Sequence, residues 1–98
     1  MSSTTPVLKL ARIQGRPGQS AALREALLAL EAATRPEAGC VSFTLFQALG
    51  DEDDFVLLEH FVSPEALQAH MQEPHTQAFF AKQLVAGVKA IDVSSLGR

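Results

Sequence analysis

The sequence predicts an α+β sandwich with the element order β-α-β-β-α-β and an additional helical segment after the second helix. Three observations carry this prediction. A helical apolar period between residues 19 and 33 separates two strand-like runs, a short acidic turn joins two apolar runs, and a serine-proline pair opens a helix that a second proline interrupts. This order of elements is that of a ferredoxin-like sandwich.

The first strand and the first helix are separated by turn residues. Val7–Gln14 alternates apolar and charged side chains as strands do, and Gly15–Gly18 contains residues that break regular structure. From Gln19 to about Ala33 the apolar residues recur at helical spacing, at Leu23, Ala26, Leu27, Leu30 and Ala33. Proline disfavours helix at the residue before it, so Arg35–Gly39 ends this helix.

The second and third strands form a predicted hairpin. Cys40–Ala48 and Phe55–Val62 flank the acidic turn Gly50–Asp54, which favours antiparallel pairing. Both faces of the third strand are apolar, with Phe55, Leu57 and Phe61 on one and Val56, Leu58 and Val62 on the other. A sheet that is apolar on both faces is covered on both. The helices cover one face, so we expect a second copy of the chain, and therefore a homodimer, on the other.

The second helix has the clearest start in the chain. Ser63 accepts a hydrogen bond from a free backbone N–H, Pro64 suits the first turn, and Glu65 complements the positive helix end. We expect this helix to run to about Gln72, where Pro74 interrupts it.

A further helical segment is predicted from His75 onward. It carries Ala78, Phe79, Lys82 and Leu84. Gly87 is expected to close it, and Val88–Val93 is expected to form the last strand.

Length and composition limit the class of protein. The 98 residues contain no linker-like run, which predicts one domain over residues 1–98 with a core from about 7 to 93. The chain is 47% hydrophobic and 19% charged, as globular proteins are, and it lacks the apolar run of about 20 residues that spans a bilayer. The net charge of −3 and the dispersed Lys and Arg residues argue against nucleic acid.

The N-terminal residues and the cysteine content predict a cytoplasmic protein. The first residues, MSSTTP, have neither the basic start nor the apolar core of a signal peptide. The single cysteine, Cys40, cannot form an internal disulfide, in agreement with a reducing compartment. No basic residue adjoins Cys40 in sequence, so a buried thiol is expected there rather than a nucleophile.

Several short motifs resemble those of one family. They are Gly39-Cys40, the acidic hairpin, Glu59 followed by Phe61, Ser63 to Leu67, His70, and Pro74-His75 with Phe79 behind. Together, from about Val7 to Val93, the sequence is similar to the antibiotic biosynthesis monooxygenase family of dimeric α+β barrel proteins. The resemblance implies a dimeric barrel with a small-molecule substrate. The family includes cofactor-independent quinol and anthrone monooxygenases, an isomerase of a phosphorylated signalling molecule, and haem-degrading relatives.

The chain departs from this family at aromatic positions. It has Phe61 and Phe43 where the family usually has tryptophan and tyrosine, and it contains neither of those residue types. The groups proposed to orient and protonate anthrones are therefore absent. The sequence also contains no asparagine, which the haem-degrading branch requires, and this argues against haem.

His70 and His75 are the candidate catalytic residues. Imidazole has an unperturbed pKa of about 6.5, so it can take up and return a proton near neutral pH. His70 lies on the predicted buried stripe of its helix with Leu67 and is the first candidate, and His75 follows Pro74. The alternative for both is a structural histidine, which for His75 would bond a backbone carbonyl. On a straight helix the two rings would lie about 140° apart, so no metal site is expected.

We expect a small apolar pocket between the sheet and the helices. Its expected lining is Phe43, Glu59, Phe61, Phe79 and Arg12. Glu59 could orient a histidine or pair with Arg12 on the adjacent strand, and the pairing is the favoured alternative. His60 points to the opposite face from Glu59, because neighbouring strand residues alternate.

The predicted function is oxidation of a quinol or related phenolic or enolic molecule by O₂, without a metal or organic cofactor. A base removes a proton from the substrate, and the resulting anion passes an electron to O₂. One alternative is a non-catalytic ligand-binding or dimerisation domain, which the missing Tyr and Trp favour. Another is an isomerase of a small phosphorylated metabolite, for which Arg12 and Lys82 would supply positive charge.

Overall fold

The computed structural model describes residues 5–94, which form one antiparallel sheet and three helices. Along the chain the elements are β1 Val7–Gly15, α1 Ser20–Thr34, β2 Cys40–Gln47, β3 Asp54–Phe61, α2 Pro64–Gln72, α3 Pro74–Ala81 and β4 Val85–Asp92. The strand order in the sheet is β2-β3-β1-β4. The predicted ferredoxin-like α+β fold is therefore confirmed.

One face of the sheet packs against the helices. The buried core consists of Ala11, Ile13, Leu23, Leu27, Leu30, Phe43, Phe55, Leu57, Phe61 and Phe79. Three of its leucines, Leu23, Leu27 and Leu30, belong to the predicted stripe of α1, and each is at most 5% exposed. The odd-numbered residues of β1 and β3 face this core, because side chains alternate along a strand.

The opposite face of the sheet has no helix over it in the described part of the chain. Its apolar side chains are Leu8, Leu10, Phe46, Val56, Leu58 and Ile91, placed there by the strand pairing. Phe46 is 52% exposed and Ile91 is 47% exposed. Both faces of the sheet are thus apolar, and the helices cover one of them. That a second copy of the chain covers the other face stays a prediction.

The last helix and the last strand differ from the sequence expectation. The helix α3 ends at Ala81 rather than near Gly87, and β4 begins at Val85 rather than Val88. The chain reverses at Gln83, whose φ is 54°, a left-handed conformation uncommon for a residue other than glycine. The Arg16 side chain bonds the Gln83 carbonyl at 2.9 Å and stabilises this turn.

The break between α2 and α3 is as predicted. The Ser63 hydroxyl accepts the Ala66 N–H at 3.1 Å at the start of α2. Glu73 is extended, with φ −65° and ψ 143°, and Pro74 then begins α3. None of the helices within residues 5–94 combines the length and the apolar character required to cross a lipid bilayer.

Candidate active site

His70 lies in the centre of the helix-covered side of the molecule. Its side chain is 3% exposed, and α2 directs it toward the sheet. The ring centroids of Phe43 and Phe61 lie 5.4 and 5.1 Å from the imidazole centroid. Two of the predicted lining residues therefore contact the first candidate base.

The helix break brings His75 next to His70. On one continuous helix, residues five apart diverge by about 140°. Because Glu73 is extended, α3 starts in a new direction, and the two imidazole centroids lie 6.2 Å apart. The His75 side chain is 25% exposed, so it is the more accessible ring.

Glu37 joins the two histidines. Its Oε2 atom lies 2.9 Å from Nδ1 of His70 and 2.6 Å from Nε2 of His75, and its side chain is 12% exposed. The sequence of residues 35–39 predicts only the end of a helix, and it predicts no role for Glu37. A lone carboxylate 33 positions before its partner gives no periodic signal, so sequence reasoning could not pair the two.

The loop that carries Glu37 is fixed at both ends. Arg35 donates from Nε to the Phe43 carbonyl at 3.1 Å, which ties the loop to β2. The Val62 N–H bonds the Gly39 carbonyl at 2.9 Å. A Cβ atom on Gly39 would overlap the Cβ of Ala66, so the absence of a side chain lets α2 approach the loop. These contacts hold Glu37 opposite the histidines.

The hydrogen bonds to Glu37 define which ring nitrogens carry protons. A carboxylate oxygen only accepts hydrogen bonds, so each imidazole presents an N–H to it. Nδ1 of His70 and Nε2 of His75 are therefore the protonated atoms. In the neutral rings the opposite nitrogens, Nε2 of His70 and Nδ1 of His75, have free lone pairs and can act as bases. Thr76 Oγ1 lies 3.4 Å from Nδ1 of His70, a weak contact.

Glu59 and Arg12 lie on opposite faces of the sheet, so the favoured pairing between them is wrong. In the pairing of β1 with β3, odd-numbered residues share one face and even-numbered residues the other, so Arg12 points away from Glu59. The Arg12 guanidinium donates two hydrogen bonds to the Asp54 carboxylate, at 3.1 and 2.8 Å. Glu59 faces the helices, where burial raises the pKa of its carboxyl group. The charges of His70 and then Lys9 act against that rise. The structure thus associates Glu59 with His70 and places Arg12 away from the histidines.

Phe79 belongs to the same buried core as Phe43 and Phe61. It is 5% exposed and lines a hollow of about 420 Å³ together with Arg16, Phe80, Gln83 and Val88. A second hollow, of about 370 Å³, is lined by Lys9, Leu67 and Met71 among others. Among the described residues that line these two hollows, none is a histidine. The structure brings Phe43 and Phe61 beside His70, places Glu59 within electrostatic range of it, and sets Phe79 in the same core at the first hollow.

His60 and Cys40 do not belong to the cluster of Glu37, His70 and His75. His60 lies on the uncovered face, opposite Leu8 and Ser42 in the strand pairing. Burial raises the pKa of the Cys40 thiol, and the Glu37 carboxylate acts in the same direction. A raised pKa keeps Cys40 as a thiol rather than a reactive thiolate.

Fold and site together define a class of protein: a ferredoxin-like α+β domain with a carboxylate-bridged pair of histidines between its sheet and its helices. Residues 6–82 match the family model described as "Antibiotic biosynthesis monooxygenase". The chain belongs to this family, and the resemblance noted in its sequence is confirmed.

Curated relatives and solved structures agree with this assignment. "Putative monooxygenase Rv0793" of Mycobacterium tuberculosis is 40% identical over 72 residues, which cover 74% of this chain and 70% of that protein. "Putative monooxygenase YcnE" of Bacillus subtilis is 37% identical over 49 residues, half of this chain and 52% of that protein. The crystal structure of PA3566 from Pseudomonas aeruginosa superimposes with a TM-score of 0.86 at 33% identity and covers 95% of each chain.

Proposed function

We propose that this protein is a cofactor-independent monooxygenase that oxidises a quinol or a related phenolic or enolic molecule with O₂. Membership of the family and the names of its relatives support a monooxygenase-type function. The observation that carries the finer proposal is the carboxylate of Glu37, bonded through one oxygen to two imidazoles. A base held in place by a third group is a recurrent arrangement for proton abstraction.

The proposed reaction begins with proton transfer to an imidazole nitrogen. The substrate hydroxyl loses its proton, and the electron-rich anion passes one electron to O₂, giving a substrate radical and superoxide. These combine at a ring carbon to form a peroxide. Loss of water then forms the new carbonyl, and the imidazolium returns its proton. For a quinol the balance is one quinol and one O₂ in, one hydroxyquinone and one water out.

Exposure favours His75 as the group that receives the substrate proton. Its side chain is 25% exposed, whereas that of His70 is 3% exposed and lies between two phenylalanine rings. We therefore assign proton transfer to Nδ1 of His75 and a positioning role to His70, which reverses the order expected from the sequence. Glu37 stabilises the imidazolium that forms, because the two opposite charges are in direct contact.

The apolar environment of His70 suits an aromatic substrate. Phe43 and Phe61 are each 1% exposed, and their rings pack against the His70 imidazole. Glu59 lies on the same face, where burial raises the pKa of its carboxyl group, and its carboxylate can accept a hydrogen bond from a second substrate hydroxyl. We propose these three residues as the substrate-binding set. Phe79 contributes to the core beside the site.

Isotope incorporation tests this function. Metal-free protein is incubated with a panel of quinols under ¹⁸O₂, with a chelator present. The proposal expects a hydroxyquinone that contains one ¹⁸O atom and a loss of this product in His75→Ala. His60→Ala, which changes a histidine on the uncovered face, should retain it. Absence of labelled product from the wild type would contradict the proposal.

A non-catalytic ligand-binding domain is the competing function. The near-complete burial of His70 and the absence of Trp and Tyr favour it. Saturable quinol binding without any product would identify this function. Arg12, one of the two cations expected to bind a phosphorylated substrate, is paired with Asp54 on the other face. An isomerase of such a substrate is therefore not favoured.

A further inference from the structure

We propose that Glu37, His70 and His75 form a binding site for a divalent transition-metal ion of the Zn²⁺ class. The ligand atoms of these three side chains all lie within 4.8 Å of one another. They come from the α1–β2 loop, α2 and α3, so the site depends on the folded chain. The sequence predicted no metal site because a straight helix separates the two rings, and the break at Glu73 removes that obstacle.

The distances fit an ion after small movements. Zinc binds nitrogen and carboxylate oxygen at about 2.0–2.2 Å, so tetrahedral ligand atoms lie roughly 3.3 Å apart. Glu37 Oε2 now lies 2.9 Å from His70 Nδ1 and 2.6 Å from His75 Nε2. Each of these two contacts must lengthen by well under 1 Å, and the two ligating imidazole nitrogens, which lie within 4.8 Å of each other, must come to about the same 3.3 Å separation. Rotation of the Glu37 and His75 side chains, which are partly exposed, can supply this change.

The donor set selects the kind of ion. Two imidazole nitrogens and one carboxylate oxygen suit zinc, cobalt, nickel or copper, whereas magnesium and calcium prefer oxygen ligands alone. Three protein ligands leave a further position for water, as in open zinc sites. Glu59, on β3, interacts electrostatically with His70. Its carboxylate would offset part of the positive charge that a divalent ion keeps after binding one carboxylate ligand.

Metal binding would switch off the proposed base, an inference that rests on the proposed function. The nitrogens that bind the ion are those that now carry protons toward Glu37. In a neutral ligated imidazole the proton resides on the opposite nitrogen. Nδ1 of His75 would then be an N–H donor and unable to accept a proton from the substrate. Zinc is thus expected to inhibit the oxidation rather than to support it.

Titration with Co²⁺ and Zn²⁺ tests the site. Co²⁺ should produce saturable visible absorption with one ion per chain, and Zn²⁺ should displace it. Glu37→Gln and His75→Ala should each weaken binding at least ~10-fold, because even outer partners of metal ligands contribute roughly 10–100-fold to affinity. Circular dichroism should show that both variants are folded.

Two matched variants locate the ion. His60→Ala and Cys40→Ser remove the other histidine and the thiol, and both should bind like wild type. Binding that survives Glu37→Gln and His75→Ala but is lost in either of these variants would overturn the proposed site. Absence of saturable binding to the wild type would also overturn it.

Turnover separates this inference from the function on which it rests. Metal binding that depends on Glu37 and His75 supports the site even if no quinol is oxidised, and that lack of oxidation would overturn only the proposed function. Turnover by metal-free protein that saturating Zn²⁺ abolishes supports both proposals. Turnover that saturating Zn²⁺ leaves unchanged would overturn the inhibitory role of the ion.

Discussion

At the scale of single residues, the Glu37 carboxylate organises the site. One oxygen accepts hydrogen bonds from two imidazoles, and its side chain is 12% exposed. Hydrogen bonds to a charged group in such surroundings each contribute roughly 1.5–3 kcal/mol. They fix the ring orientation and direct the unprotonated nitrogens away from the carboxylate. The chemistry proposed for His75 therefore depends on a residue that does not itself accept the substrate proton.

Glu37→Gln isolates the charge of this carboxylate. The amide oxygen can still accept the two N–H groups, but it cannot stabilise an imidazolium as a carboxylate does. We expect kcat for quinol oxidation to fall by ~10²–10⁴, the usual contribution of general-base catalysis, with little change in KM. Steady-state O₂ uptake measures this change. A kcat equal to that of wild type would show that the charge of Glu37 has no part in the reaction.

Glu59 gives a stability prediction with a defined dependence on pH. Burial raises the pKa of this carboxyl above its usual value, although His70 and Lys9 oppose the change. The folded chain then binds the proton more tightly than the unfolded chain, so the free energy of unfolding falls as pH rises from the ordinary pKa to the raised one. Glu59→Gln should therefore be more stable than wild type at pH 7. The gain should disappear below about pH 4, where the wild-type carboxyl is protonated in both states.

Urea unfolding at the two pH values measures this difference. Glu52→Gln is the control, since Glu52 is exposed in the turn between β2 and β3. It should show no comparable gain at either pH. A stability gain for Glu59→Gln that persists in acid would indicate a packing effect instead of a charge effect.

At the scale of the elements, the site depends on the junctions between them. His70 and His75 meet because two short helices are separated by one extended residue. The α1–β2 loop meets α2 because Gly39 has no side chain to hold them apart. The relative positions of His70, His75 and Glu37 are thus determined by the break between α2 and α3 and by the α1–β2 loop.

Gly39→Ala tests the contact between the loop and α2. The added methyl group would overlap Ala66, so the loop and helix must separate, at a cost of about 1–3 kcal/mol typical of overpacking. Gly50→Ala is the matched control, because a Cβ there meets no atom within 4 Å. Denaturant unfolding should show a large loss for the first variant and little change for the second. Equal stabilities would contradict the close approach.

The elements were predictable to different degrees. The leucine stripe of α1 and the Ser63-Pro64 start of α2 follow from local spacing and capping, and both are present in the structure. The end of α3 was not predictable, since the chain reverses at Gln83, a residue with no intrinsic preference for positive φ. The contact between Glu37 and the two histidines was also not predictable from the sequence, because it depends on the tertiary packing of distant segments.

At the scale of the whole molecule, the uncovered face of the sheet is expected to be a protein interface. It combines half-buried leucines with the exposed Phe46 and Ile91. Large apolar patches of this kind on soluble proteins commonly mark interfaces. The parity of β3 predicted two apolar faces from the sequence alone. The partner that we expect on this face is a second copy of the chain, because a homodimer needs no other protein.

Leu58→Lys tests the homodimer. Leu58 lies on the uncovered face and pairs with Leu10 and Thr44 in the neighbouring strands. A lysine there would bury a charge in the proposed interface. Light scattering should give twice the chain mass of 10.5 kDa for wild type and the single mass for the variant. Leu49→Lys, at a fully exposed position beyond β2, should remain dimeric. A monomeric wild type would contradict the prediction.

The most direct test of the central claim is the rate of O₂ uptake by metal-free protein with quinols, compared between wild type, His75→Ala and His60→Ala. The account predicts turnover by wild type and His60→Ala and a loss of ~10²-fold or more in His75→Ala. Equal rates in all three proteins would contradict it, because the oxidation would then proceed without the imidazole that Glu37 holds.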